Sequence, residues 1–197
     1  MSPVEFLSAG SSGYGKSYLA LDNGMLRDDA VKDLGALIVW LGSQSAFDAK
    51  HVVVAGSAYG GYLTLAALEN YGDRVIGGVD LAGITDFISF LTNTPAYRLN
   101  LRRAEYGDER DPDVRAYLRR ISPLTNADRI ARPLLVVHGK NDPRVPVSEA
   151  EQIVNRVRSR GGEVWYLQAK DEGHGFRRKE NRDAYYRTFA QFLKSLH

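Results

Sequence analysis

The chain has 197 residues, 44% of them hydrophobic and 25% charged, with a formal net charge of +2 and no cysteine. That length holds one folded domain with a substantial core, and the near-balanced charge leaves no electrostatic footprint for nucleic acid. No apolar run approaches the ~20 residues of a membrane helix, and the lack of cysteine excludes disulfides, thiol catalysis and cysteine-based zinc sites. With no secretory pattern at the amino terminus, a cytoplasmic location is the expectation.

Residues 4–7, Val-Glu-Phe-Leu, read as a short strand ahead of the glycine-rich run Gly10-Ser11-Ser12-Gly13-Tyr14-Gly15-Lys16-Ser17. Gly10 and Gly15-Lys16-Ser17 match the spacing of a phosphate-binding loop. That loop needs a robust buried strand before it and a long helix after it, and neither is written here, so a structural loop is expected. A helix follows over 28–43, with Asp28 and Asp29 in its first turn and Val31, Leu34, Leu37, Ile38 and Leu41 at helical spacing. Strands are predicted at 51–55, 75–81, 134–138 and 163–167, and helices at 59–70, 148–160 and 180–196. The run 134–138 is apolar throughout, as suits a parallel sheet covered on both faces. Strands alternating with helices imply an α/β fold: a mostly parallel sheet with helices on both faces, in a single domain over 1–197. Residues 86–126 break the rhythm with aromatics and arginines among short helical pieces, an excursion over a sheet edge of the kind that often roofs a site.

The stretch Val54-Ala55-Gly56-Ser57-Ala58-Tyr59-Gly60-Gly61 joins a strand to a helix through a glycine-framed turn. This is the layout of the nucleophile elbow of α/β-hydrolases, where the tip residue is strained and the residues two before and two after it must be small. Gly56 and Gly60 satisfy that condition around position 58. Around Ser57 the corresponding residues are Ala55 and Tyr59, and the tyrosine is too large. The tip is therefore Ala58, which has no hydroxyl: either a serine has been replaced there or the chain is a natural pseudo-enzyme.

Functional groups of an open parallel sheet collect in loops at the carboxyl ends of the strands. Two further loops of that kind follow the elbow: His138-Gly139-Lys140-Asn141-Asp142-Pro143-Arg144-Val145-Pro146 and Asp171-Glu172-Gly173-His174-Gly175-Phe176. Nucleophile position, acid and histidine then run in the chain order of an α/β-hydrolase triad, Ala58, Asp142 and His174. His174 would act as general base, Asp142 would orient it, and the Tyr59 N–H would donate to an oxyanion. His138, ending an apolar strand, reads as structural. A metal would need His138, Asp142, Asp171 and His174 to converge, and no close-spaced ligand motif supports that; no cofactor is expected.

These motifs, together with Ser122-Pro123-Leu124, resemble the catalytic region of the prolyl oligopeptidase family, most closely its acylaminoacyl peptidase and dipeptidyl aminopeptidase branches. The resemblance implies a serine peptidase acting on a small peptide or ester substrate, with Arg144 and Val145 near the bound substrate and Phe87 and Phe90 as candidates for an apolar specificity pocket. Family members carry a β-propeller and further strands ahead of the glycine loop, including a His-Gly-Gly-Pro-like segment that helps build the oxyanion hole. Because this sequence contains neither, a truncated domain is expected. Its unpaired edge beside the elbow strand would be filled by residues 4–7 or by a second copy in a homo-oligomer. Two other readings stay open: a small carboxylesterase of the same fold, and a non-catalytic binding or assembly domain.

Overall fold

The computed structural model describes residues 2–196. Four parallel strands, β1 (Val53–Ser57), β2 (Gly77–Leu81), β3 (Leu134–Gly139) and β4 (Val164–Ala169), lie side by side in chain order. Along β3 the side chains alternate between two cores, which is why its run is apolar without interruption. Leu134 and Val136 face a large cluster shared with α2 (Asp28–Ser43), α3 (Tyr59–Asn70) and α8 (Val147–Ser159). Leu135 and Val137 face a smaller one closed by Phe189, Phe192 and Leu193 of α9 (Lys179–Ser195). Phe189, Phe192 and Leu193 recur at helical spacing, so one stripe of α9 covers this second face.

Two expectations change. Residues 4–7 form no strand: Phe6 alone packs on the core, Val4 and Leu7 are exposed, and the Ala9 N–H donates to Asp33 of α2. The segment is thus tied to a helix and leaves the edge of β1 without a strand among the described residues. The elbow strand also runs two residues later than predicted, because His51 is taken up in a turn with Asp48 and the Ala58 N–H still bonds the Leu81 carbonyl at 2.9 Å. The glycine-rich run leads only into the single turn α1 (Lys16–Leu19), with Gly10, Gly13 and Gly15 all at positive φ. A one-turn helix has no N-terminal dipole worth the name for a phosphate, in keeping with a structural loop.

The excursion over 86–126 is four short helices, α4 (Phe87–Thr92), α5 (Ala96–Tyr106), α6 (Pro112–Ile121) and α7 (Pro123–Asn126). Asp86 caps α4 by accepting from the N–H groups of Ile88 and Ser89. Glu149, fully buried at the start of α8, pins the same turn: it accepts from the Thr85 and Asp86 N–H groups at 2.9 and 2.8 Å and from the Ser89 hydroxyl at 2.5 Å. Truncating it strands those donors without acceptors in the interior. Glu149→Ala is expected to cost about 3 kcal/mol in urea unfolding and to expose the excursion to limited proteolysis before the rest of the chain.

Glu69, in the last turn of α3, contributes in the opposite direction. Its Oε1 is buried with no hydrogen-bond partner among the described residues, and burial pushes its carboxyl up to about 8, the charge of Arg129 opposing only in part. A folded-state value above the unfolded one means that the folded chain binds the extra proton. The stability is therefore intact below about 4.5 and is lost as pH rises through about 8. Glu69→Gln is expected to remove that loss, gaining about 4 kcal/mol at pH 8 and little at pH 4 in paired denaturation curves.

Candidate active site

The elbow forms at the residue that glycine spacing selects. Ala58 has φ 54° and ψ −112°, a region non-glycine residues rarely enter, and α3 begins at the next residue. A Cβ on Gly56 would lie 2.1 Å from the Gly60 carbonyl oxygen, whereas one on Gly60 would meet nothing within 4 Å. The steric demand for a small residue thus falls on position 56 and not equally on positions 56 and 60. Tyr59 is the first residue of α3, so its N–H has no acceptor within the helix and remains available at the turn.

The acid and the histidine meet. His174 Nδ1 lies 2.6 Å from Asp142 Oδ2; the carboxylate side chain is fully buried and the imidazole is 17% exposed. The donor on this contact is Nδ1, because the carboxylate can only accept, and in the neutral tautomer that fits this contact the lone pair is on the other ring nitrogen, Nε2. Asp142 Oδ1 accepts from the Arg144 and Val145 N–H groups at 2.7 and 3.0 Å, which fixes the carboxylate plane. Burial alone would raise the Asp142 carboxyl. The contacts from His138 and His174 and the two backbone N–H groups outweigh it and hold the carboxyl well below the usual carboxylate range.

Gly139 brings the two loops together: a Cβ there would lie 2.1 Å from the Gly173 carbonyl oxygen, so only glycine lets the end of β3 touch the histidine loop. Glu172, also buried, accepts from the Arg178 N–H at 2.7 Å and from Asn181 at 3.0 Å, fastening the same loop to the start of α9. A cavity of about 160 Å³ runs beneath, lined by Ser57, Ala82, His138 and His174 among others, so the ends of all four strand connections face one space. A wider hollow of about 720 Å³ opens on the other side of His174 and is lined by Asn141, Pro143, Arg144 and Arg177. Among the described residues no group of His, Asp and Glu side chains is arranged to hold a metal ion, and no helix is long and apolar enough to cross a membrane.

Of the residues expected near substrate, Arg144 is exposed at that hollow, while Val145 is buried and acts through its backbone, donating to Asp142 and accepting from His138. Phe87 and Phe90 do not line an open pocket. Both are fully buried, Phe87 edge-on to Tyr62 at 4.9 Å and Phe90 edge-on to Tyr106 at 5.5 Å. Short helices give an aromatic residue no period long enough to tell an inward face from a pocket wall.

One residue of consequence carried no signal. Arg27, immediately before α2, is 1% exposed, with its guanidinium 4.8 Å from the Tyr59 ring centre and 4.4 Å from that of Tyr106. It also reaches Asp22 at 3.3 Å and donates to the Glu105 carbonyl at 2.9 Å. It therefore joins the segment after α1, the elbow helix and the excursion at one point. In the sequence it is one more charged residue ahead of a helix.

The family model described as "Prolyl oligopeptidase family" matches residues 8–197. The chain is 35% identical over 187 residues to dipeptidyl aminopeptidase BIII of Pseudoxanthomonas mexicana, covering 93% of this chain and 27% of that protein. It is 34% identical over 176 residues to dipeptidyl peptidase family member 6 of Caenorhabditis elegans, covering 87% of this chain and 24% of that protein. A Ser-to-Ala mutant of puromycin hydrolase, solved in complex with PGG, superposes with a TM-score of 0.87 at 26% identity, over 96% of this chain and 28% of the other. The chain thus spans about a quarter of the length of the curated relatives it matches. The fold is that of an α/β-hydrolase, and from residue 8 onward the chain belongs to the prolyl oligopeptidase family.

Proposed function

We propose that this chain is the hydrolytic region of a serine peptidase that cleaves short peptides or acyl-aminoacyl bonds through an acyl-enzyme, silent as it stands because position 58 carries a methyl group. The observation that carries the reading is the His174–Asp142 pair at 2.6 Å, with its acid buried and its imidazole open to the space below the elbow. With a hydroxyl at position 58, the oxygen would attack the substrate carbonyl carbon while its proton passes to His174 Nε2. The developing oxyanion would accept from the Tyr59 N–H, and Asp142 would stabilise the imidazolium. That imidazolium then gives its proton to the departing amine or alcohol. Water repeats the sequence on the acyl-enzyme and restores the hydroxyl.

Arg144, exposed at the rim, is suited to the carbonyl or carboxylate groups of a peptide. The test is Ala58→Ser, assayed against an alanyl anilide and a short-chain p-nitrophenyl ester. Turnover of the anilide supports the peptidase, turnover of the ester alone supports a carboxylesterase, and turnover of neither by a folded variant overturns the reading.

A further inference from the structure

Behind the Asp142–His174 pair lies a second imidazole. The His138 side chain is fully buried, and its Nε2 faces two acceptors, the Val145 carbonyl at 3.0 Å and Asp142 Oδ2 at 3.5 Å. Nε2 therefore carries a proton, and it approaches the same carboxylate oxygen that holds His174. The other ring nitrogen, Nδ1, is buried with no hydrogen-bond partner among the described residues.

On the neighbouring strand Asp80 is also fully buried; its Oδ1 accepts from the Gly83 N–H at 2.8 Å, and its Oδ2 has no partner among the described residues. Asp80 is in register with Val136, two residues before His138, so the two side chains are diagonal neighbours on one face of the sheet. Two orphaned polar atoms, one on a carboxylate and one on an imidazole, thus lie on adjacent rows of the sheet, and opposite charges on the two groups lower the cost of burying both.

We propose that His138 is a positioning residue: a buried imidazolium held between Asp80 and Asp142, which fixes the Asp142 carboxylate and draws off part of the negative charge it presents to His174. This rests on the reading of Asp142 and His174 as acid and base of a hydrolase. The electrostatics run the same way. Burial works against the His138 cation, but the contacts with Asp142 and the Val145 carbonyl, and the charges of Asp142 and Asp80, outweigh it and raise its affinity for the proton. Asp80, pushed up to about 7 by its burial, is drawn back toward the charged form by His138 and the Gly83 N–H, with Glu149 of α8 opposing. The strand on the far side contributes the neutral Gln168 opposite His138. The cavity that His138 lines is also lined by His174, Arg182, Tyr185 and Tyr186.

The sign follows. A cation beside Asp142 weakens the pull of that carboxylate on the His174 imidazolium, so removing the cation should make His174 hold its proton to higher pH. The chain has four histidines, so ring-labelled NMR titration of the protein as it stands, with Ala58 in place, can follow each one. His138→Gln keeps a donor and loses the charge, and it is expected to raise the His174 midpoint by about one pH unit, a tenfold change in its proton equilibrium. Asp80→Asn is expected to lower the His138 midpoint and to raise that of His174. A His174 midpoint that stays put in both folded variants overturns the proposal. The two variants guard against one of them failing to fold, and a structural core histidine would change stability without moving the midpoint. In the Ala58→Ser background the acid limb of the pH–rate profile should move by the same amount. If that background hydrolyses nothing while the NMR shift is present, the coupling stands and the hydrolase reading falls.

Discussion

Ala58→Ser is expected to raise ester or anilide hydrolysis by about 10³-fold over the unaltered chain, with a burst of the first product equal to the enzyme present. Removing the serine of a working triad costs on the order of 10⁶ in kcat, and losing one oxyanion donor costs about 10²–10³. Even with the Tyr59 N–H as the single donor, a rise of about 10³ remains. The burst separates nucleophilic catalysis from a general-base effect of His174 on water, which would give a linear time course from the start. His174→Gln added to Ala58→Ser should return the rate to that of Ala58, because nucleophile and base act as one unit and their losses do not add. The backbone gives reason to expect a ready response: Ala58 already holds the strained elbow conformation, so the hydroxyl enters a turn that needs no rebuilding.

Arg27→Ala is expected to destabilise the fold by about 4 kcal/mol in urea unfolding, the largest single loss among the substitutions considered. Three effects add in one direction. Asp22 is left as a buried carboxylate without its counterion, the Glu105 carbonyl loses its donor, and the rings of Tyr59 and Tyr106 lose the cation between them. Arg27→Lys keeps the charge but not the fork that reaches Asp22 and Glu105 together, and a loss of about 2 kcal/mol is expected. Because Tyr59 follows the elbow directly, Arg27→Lys combined with Ala58→Ser should also lower kcat. A drop in stability with kcat unchanged would show that the cluster supports the fold without steadying the turn.

The parts legible from sequence share one property: their signal is local. The short, β-branched apolar run of β3 suits a doubly covered strand, and Gly56 reveals the elbow because one crowded contact demands a residue without a Cβ. Asp142 and His174 are legible through their order and their place after strands, although nothing local dictates that they meet. What escaped depends on contacts between distant segments. Residues 4–7 have the composition of a strand, yet Ala9 is bonded to a helix. Phe87 and Phe90 have the chemistry of a pocket wall, yet they lie inward because the excursion folds onto α3, and Val145 is turned inward in the loop after β3, where its backbone bonds Asp142 and His138. Arg27, Glu149 and Asp80 are charged, which at sequence level argues for solvent, and each is buried because another part of the chain supplies its partner or its enclosure.

The tightness of Gly139 against the Gly173 carbonyl has a dynamic consequence. With no room for even a methyl group between them, a side chain at position 139 would push the segment bearing the imidazole away from the one bearing the carboxylate, and Gly139→Ala is expected to loosen the pair. The arm of short helices across the sheet is fastened at its near end through polar contacts, the Glu149 carboxylate and the Gln152 amide of α8 both reaching the turn at Thr85 and Ser89.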